Sequence, residues 1–474
     1  MVFNSFNFVG FYCVLLLILA LEGKVTRNVN VRNVTLLAAS YIFYGLFNIG
    51  FLVLLVFVTI VNYFAGLRLS KTQSDGKRTV ACATVLSFLP LVFFKYSLFL
   101  CRSLSSLLPL ELKTDFLEGL LLPVGISFFT FQALSYTIDI YRGKVEQCRS
   151  GVDFFLFVSF FPTILSGPIE KARNLLPQIK TYTPLTDVQI VQGICIFIWG
   201  LFKKVVIADR LADYVNMAYM MHNSVSGMTL AVAAIFYSIQ IYCDFSGYSD
   251  MALGVAKGLG FDITPNFRQP YFSKSIKEFW RKWHISLTSW FTEYVYFSLG
   301  GSRVSARWKW VRNISLVFLL SGIWHGAAWS FLIWGALHAV YYLCEYYLGL
   351  QRAEMRWNAI GSALWGMMVF FLVTIAWIFF RVTDFEVALS IVGKIFTDWG
   401  GGLYTGMSSF TFVAGIGMLG VFTVYELLVR QRVLCFDVTD YQNVINKTLL
   451  SVIPLLMLIA MFGKSSDSFV YFKF

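Results

Sequence analysis

Charge is what this chain has least of. Only 14% of its 474 residues are Asp, Glu, Lys or Arg, where a soluble globule carries about a quarter. No polar stretch exceeds a few tens of residues, so no soluble appendage is expected. Histidine is scarcer still, with four in all: His222, His284, His325 and His338. The eight cysteines are scattered without a CxxC pair. Most lie in apolar runs, where a free thiol behaves as a small hydrophobe. That argues against a disulfide framework and against a Cys-based metal site. The chain also lacks a Walker A phosphate loop, a GxSxG nucleophile elbow and any HxxxH or HExxH pair. These absences count against a P-loop nucleotide enzyme, a serine hydrolase of the elbow type and a zinc site.

What is present is hydrocarbon. Hydrophobic residues make up 58% of the chain and 48 residues are Phe, with a mean hydropathy of +0.68. The fold class is therefore an all-α polytopic membrane protein. The formal net charge of +12 does not point to nucleic acid, because the bases sit in short loops between apolar runs. That is the pattern of membrane topology and of contact with anionic headgroups.

In order along the chain, an apolar run over 6–21 has no basic n-region or cleavage site and reads as a retained first span. A basic loop with Lys24, Arg27 and Arg32 follows. Residues 34–67 are too long for one span of ~20 and divide into two at Phe47-Asn48-Ile49-Gly50. The next loop carries Arg68, Lys71, Lys77 and Arg78, which puts both basic loops on the cytoplasmic side and the N-terminus outside. A span over 80–100 holds Lys95, and a span over 119–141 is broken or kinked at Pro123 and Gly125. Residues 151–166 are apolar but short, and basic residues flank them on both sides. A re-entrant element fits better than a full crossing, since broken backbone is tolerated where it lines a cavity. Further spans are expected at 188–208, ending near Lys203 and Lys204, and at 229–242. Beyond these come 314–323 continuing into 327–348, then 357–380, 410–428 and 448–462. The total is roughly ten to twelve membrane segments.

Three of the four histidines lie in residues 244–339, in the blocks DFSGYSDMALG, EFWRKWHISLTSW and SGIWHGAAWSFLIWGALHA. Ionisable groups in apolar segments are costly and need a reason. Residues 266–283 interleave Arg268, Lys274, Lys277, Arg281 and Lys282 with Phe, Tyr and Trp, which predicts an amphipathic helix at the interface. Such a segment is placed to meet an anionic donor and to deliver His284 inward. His325 follows ten apolar residues, with Gly322 and Gly326 leaving room for close approach. His284 lies 41 residues upstream of His325, which allows a crossing and a turn, so the two can converge. One imidazole would then deprotonate a hydroxyl while the other orients the reacting carbonyl. Asp244, Asp250 and Glu278 are candidates to fix a histidine tautomer, or equally to pair with lysine and arginine for structure. His338 lies thirteen residues beyond His325, roughly 20 Å along a continuous helix, and reads as structural. His222 sits in a polar loop.

The blocks FFPTILSGPIEKARNLLPQ (160–178), YCDFSGYSDMALG through YVYFSLGGSR (242–303), SGIWHGAAWSFLIWGALHA and the closing SFVYFKF resemble the membrane-bound O-acyltransferases, within them the bacterial polysaccharide O-acetyltransferases of the alginate type. The resemblance spans nearly the whole chain. It implies a helical funnel with re-entrant elements, with the family's catalytic histidine on His325 and a second polar position on His284. It implies one membrane-embedded domain, with N-terminal spans over 1–150, a catalytic core over 151–348 and C-terminal spans over 349–474. Candidate substrate-binding positions in the matching blocks are Ser166, Pro168, Asp244, Ser246, Tyr248, Asn266, Trp280, Arg281 and Trp324, with the SGPIEK segment lining the same cavity as the histidines. The implied reaction moves an acyl group, acetyl first, from a cytoplasmic thioester (acetyl-CoA or an acyl-carrier protein) towards hydroxyls of an exported polysaccharide. No bound cofactor or metal is implied. Partners are the lipid bilayer, the polysaccharide acceptor and extracytoplasmic transferases or carriers, and the implied location is the inner, cytoplasmic membrane. D-alanyl transfer to teichoic acid, peptidoglycan O-acetylation, and a transporter or scaffold of an export complex stand as alternatives.

Overall fold

Long apolar runs with polar caps dictate helices, and helices are what form. In this computed structural model, residues 1–71, 75–108, 114–350, 359–406, 409–430 and 441–463 are described, and no strand occurs among them. The closing SFVYFKF block lies outside the described residues. They divide into two compact units, one of Met1–Ile194 with Ala252–Thr264 and one of Cys195–Met251 with Pro265–Phe474.

In the first unit, α1 (Phe6–Val25) starts at Ser5, whose hydroxyl accepts from the Phe8 amide, a regular N-cap. Helix α2 (Val29–Gly45) stops where the sequence predicts a turn, and α3 (Ile49–Lys71) begins beyond it. Arg32 departs from expectation. It is not a loop base but a buried residue of α2, donating to the carbonyls of Gln178, Ile179 and Thr181. A cation satisfies the orphan carbonyls at a helix C-terminus. Helix α4 (Gly76–Leu91) passes through a widened π-turn at Val92–Tyr96, which holds Lys95, into α5 (Ser97–Leu107).

The span expected over 119–141 is shorter than predicted. Helix α6 (Ile126–Tyr141) starts only after Gly125, which sits at φ +77. A Cβ there would stand 2.2 Å from the Ile164 carbonyl oxygen, so the backbone approach requires glycine. Nearly every side chain of α6 is buried in the unit. Residues 151–180 are broken as expected, into α7 (Gly151–Ser159), a turn and α8 (Ala172–Lys180).

The second unit begins within α9 (Asp187–Phe202), which passes through a second π-turn, Lys203–Ala208, into α10 (Asp209–Met220). Helix α11 (Gly227–Gly258) follows. Between α9 and α11 the backbones touch through glycine: a Cβ on Gly200 would lie 2.5 Å from the Gly247 carbonyl oxygen. Small residues of this kind let membrane helices approach closely. Two short helices, α12 (Ile276–Lys282) and α13 (Ile285–Trp290), lead to the pair α14 (Arg307–His325) and α15 (Trp329–Tyr347). Helices α16 (Ala359–Arg381), α17 (Phe385–Thr397), α18 (Ser409–Arg430) and α19 (Tyr441–Phe462) complete it.

Six helical segments among the described residues are long and apolar enough to cross a bilayer. Among the other expected segments, α2 is 17 residues long, and α18 and α19 carry apolar stretches at Gly415–Leu428 and Val452–Phe462 among their described residues. Only 17% of the apolar window of α1 is buried, leaving Phe6, Val14, Leu17 and Leu21 bare. Exposed apolar surface on this scale has no place in water. This is a multi-pass membrane protein.

Candidate active site

The segment expected to form one amphipathic helix over 266–283 does not. Gln269 is left-handed at φ 52, Pro270–Phe272 is a single 3₁₀ turn and only Ile276–Lys282 is α-helical. Local chemistry explains that helix. The Ser275 hydroxyl accepts from the Glu278 amide and Glu278 accepts from the Lys274 amide, close to a capping box. Glu345 of α15 accepts from the Ile276 and Lys277 amides, placing a carboxylate at the helix N-terminus. Burial opposes ionisation of Glu278, but its bonds from the Lys274 amide and the Lys282 ammonium prevail and hold it below the usual carboxylate range.

His284 follows at φ 44, ψ 55, a strained conformation for a residue with a Cβ. Asn266 pins it. The Ile285 amide donates to the Asn266 carbonyl at 2.9 Å, the Ser286 hydroxyl donates to its Oδ1 at 2.6 Å, and its Nδ2 donates to Ser249 of α11 at 3.2 Å. Asn266 is fully buried, so its place in the structure is behind the turn. Burial drives the His284 imidazole down to about 3, so the ring is neutral.

His325 ends α14. The helix expected to run on from His325 through His338 is instead interrupted, and the chain reverses at residues 326–328. A Cβ on Gly322 would lie 2.3 Å from the Phe331 carbonyl oxygen, and one on Gly335 2.4 Å from that of Phe318. These two contacts define an antiparallel hairpin with backbones touching at glycine. Reversal brings His338 back towards His325, with Trp334 packed against each, ring centroids 5.0 Å away in both cases. The His284 and His325 rings lie 6.4 Å apart, so the predicted convergence occurs. Trp324 packs edge-on to both, at 5.8 and 4.9 Å, while Phe245 meets His284 and Phe380 meets His325.

The carboxylates have lysines. Lys204 bonds Asp244 at 2.5 Å and Asp209 at 2.8 Å, and Lys203 bonds Asp250 at 2.7 Å and the Ser246 hydroxyl at 2.8 Å. Glu278 pairs with Lys282. The two lysines at the end of α9 therefore neither snorkel nor mark a surface; they are buried ties from the π-turn to α11. Tyr248 is buried on the same helix. Ser166 and Pro168 are buried in the first unit. There the neighbouring Glu170 accepts from Asn174 and from the Thr264 amide, and burial outweighs those bonds to raise its carboxyl.

A cavity of ≈ 730 Å³ runs beside this site, wholly within the second unit. Arg307, Trp310, Ile314, Phe318 and Ser321 of α14 line it, a continuous helix face about 21 Å long. Lys277, Arg281 and Arg307 supply cations. Lys277 lies beside Glu345 near the end of α15, so it shares the Arg307 end of the hairpin. At the other end Ser321 is one helical turn below His325. Trp280 forms part of the wall.

Residues 36–383 match the membrane-bound O-acyltransferase family. The chain belongs to that family. It is 40% identical over 375 residues to a probable alginate O-acetylase of Azotobacter vinelandii, covering 78% of this chain and 74% of that one. It is 34% identical over 386 residues to a peptidoglycan O-acetyltransferase of Helicobacter pylori, covering 75% and 72%. A teichoic acid D-alanyltransferase of Bacillus subtilis is 30% identical over 267 residues, covering 54% and 67%. In this membrane-bound O-acyltransferase the sequence reading assigned no role to Trp334, Trp377 or Phe380. Trp334 had a legible signal, since it stands four residues before His338 on one helix face. Trp377 stacks on Trp334 at 5.8 Å and is brought there by α16, which sequence spacing does not reveal.

Proposed function

We propose that the protein transfers an acyl group, most directly acetyl, from a cytoplasmic thioester to hydroxyls of an exported cell-surface polysaccharide, with His325 as the base. The observation that carries this is a pair of buried imidazoles, of which His325 stands one helical turn from Ser321 in the wall of a basic, aromatic cavity. The cations at the Arg307 end suit the phosphates of a coenzyme A or carrier-protein arm. The arm lies along α14 with its thioester towards Ser321. His325 takes the proton of the acceptor hydroxyl as that oxygen bonds to the thioester carbonyl carbon. The tetrahedral adduct then expels the thiolate, which takes the proton from the imidazolium, leaving an O-acyl ester and a free thiol. His325 sits at the carbonyl end of α14, where the helix dipole favours the positive charge that develops. Neutral His284 can donate a hydrogen bond to the carbonyl oxygen.

Acetyl is favoured over D-alanyl because the described lining of the cavity contains cations and no carboxylate. An aminoacyl ammonium would have no carboxylate partner in that lining. The relatives' acceptors, alginate and peptidoglycan, indicate the polymer class, and delivery runs directly or through extracytoplasmic partners at the cytoplasmic membrane. The test supplies membranes bearing the full chain with labelled acetyl thioester and with D-alanyl thioester. Acetyl label should appear as base-labile ester on polymer in preference to D-alanyl, and exclusive use of D-alanyl would contradict the reading.

A further inference from the structure

Neither His284 nor His325 is among the residues lining the cavity. Something stands between the donor's space and the reacting histidines. On the cavity side the indole of Trp280 forms the wall. Behind it stands Trp334, fully buried, with ring centroids 5.6 Å apart and planes at 74°. Behind Trp334 stands His325 at 5.0 Å. Along this line the partition is two indoles thick, and Trp280 shares its cavity face with Phe318 and Ser321 of α14.

The Trp280 side chain is held on three sides. Its Nε1–H donates to His338 Nδ1 at 3.3 Å, and the two rings meet edge-on at 4.9 Å. Phe318, itself a lining residue, meets it at 5.5 Å. His338 is fully enclosed by Phe279, Phe318, Trp334 and Tyr341. A buried indole N–H needs an acceptor, and here the acceptor belongs to a ring that has no room to turn. The histidine set aside as structural thus fixes the orientation of the wall.

We propose that Trp280, latched by His338, is the acyl-size filter of the enzyme: beside Phe318 and Ser321 its indole limits the cavity to a two-carbon acyl group and obstructs longer chains. His338 is a positioning residue that acts through Trp280. The inference rests on the cavity being the thioester site, as proposed above. A packed interior does not yield to an extra methylene without displacement, and one methylene is worth about tenfold or more in discrimination.

The experiment uses membranes of cells expressing the full chain, so that acceptor and partners are present. Acetyl- and hexanoyl-pantetheine thioesters are offered in competition, and the esters formed are counted by mass spectrometry. In Trp280→Leu, and more weakly in the milder Trp280→Phe, the hexanoyl-to-acetyl ratio should rise about tenfold or more. His338→Phe, which removes the acceptor, should shift the ratio the same way, and His338→Gln, which can still accept, should restore it. Gel filtration in detergent identifies the variants that fold. A ratio within twofold of wild type in folded Trp280→Phe and His338→Phe overturns the filter. A wild-type protein that transfers neither acyl group overturns instead the donor reading beneath it.

Discussion

Asn266 holds the most consequential small arrangement in the molecule. Three of its polar atoms bind the backbone and side chains around His284, in a turn whose left-handed φ a histidine would otherwise avoid. Truncating the Asn266 side chain strips the Ser286 hydroxyl and amide of their Oδ1 acceptor at a cost of about 1–3 kcal/mol. Asn266→Ala should therefore lower the rate of acyl transfer at least tenfold while thioester binding stays within a few-fold, as measured by transfer kinetics beside equilibrium binding. Lys204 supplies the second prediction at this scale. Its one ammonium bonds both Asp209 and Asp244 in the interior, and breaking a buried pair on one side leaves uncompensated charge worth roughly 3–5 kcal/mol. Lys204→Met should lower the thermal midpoint in detergent, and adding Asp209→Asn and Asp244→Asn should recover much of the loss. If the triple variant melts with the single one, the ion pairs are not what fixes the π-turn to α11.

At the scale of elements, seven-residue α12 carries Trp280 and leads into His284, yet it is too short to be stable alone. Its stability comes from its caps. Glu278, whose carboxyl is held below its ordinary range, contributes stability present above that range and lost as pH falls through the lowered folded value. Acidification through this window should loosen α12, seen as lower amide-exchange protection at residues 276–282 relative to the intrinsic rate at each pH, and Glu278→Gln should flatten that dependence. Glu345→Ala should act at every pH, because it strips the first-turn amides of their acceptor. The sequence misjudged this region for a definable reason. Alternating bases and aromatics over 266–283 mimic an amphipathic period, while the left-handed Gln269 and the first-turn amides of α12 are held by partners far along the chain, Glu426 and Glu345. The α14–α15 reversal was hidden in the same way, since residues 326–328 contain no proline and only close packing of Gly322 and Gly335 reveals it.

For the whole molecule, the class was legible because a bilayer leaves few choices, and the O-acyltransferase activity through the resemblance carried by the blocks at 160–178, 242–303 and 321–339. Scarce charge and long apolar runs dictate a helical bundle, and the costly histidines that remain stand out. The pairing of His284 with His325 followed from motif and spacing. The basic residues were harder, because a lysine or arginine at the end of an apolar run reads as a loop whether it meets lipid headgroups or, like Arg32 and Lys203, a buried carbonyl or carboxylate. The indole partition was not legible, since Trp280, Trp334 and Trp377 come from three helices and share a site only through tertiary packing.

The central claim is that His325 is the base of an O-acyltransferase. It is tested by purifying the full chain, wild type and His325→Ala, into vesicles with labelled acetyl thioester and the cell's own exported polymer. The wild type should place base-labile label on the polymer. The variant should elute and melt as wild type and bind the thioester, while transfer falls by about 10²–10⁴-fold. Polymer acetylation at an undiminished rate in folded His325→Ala would contradict the account.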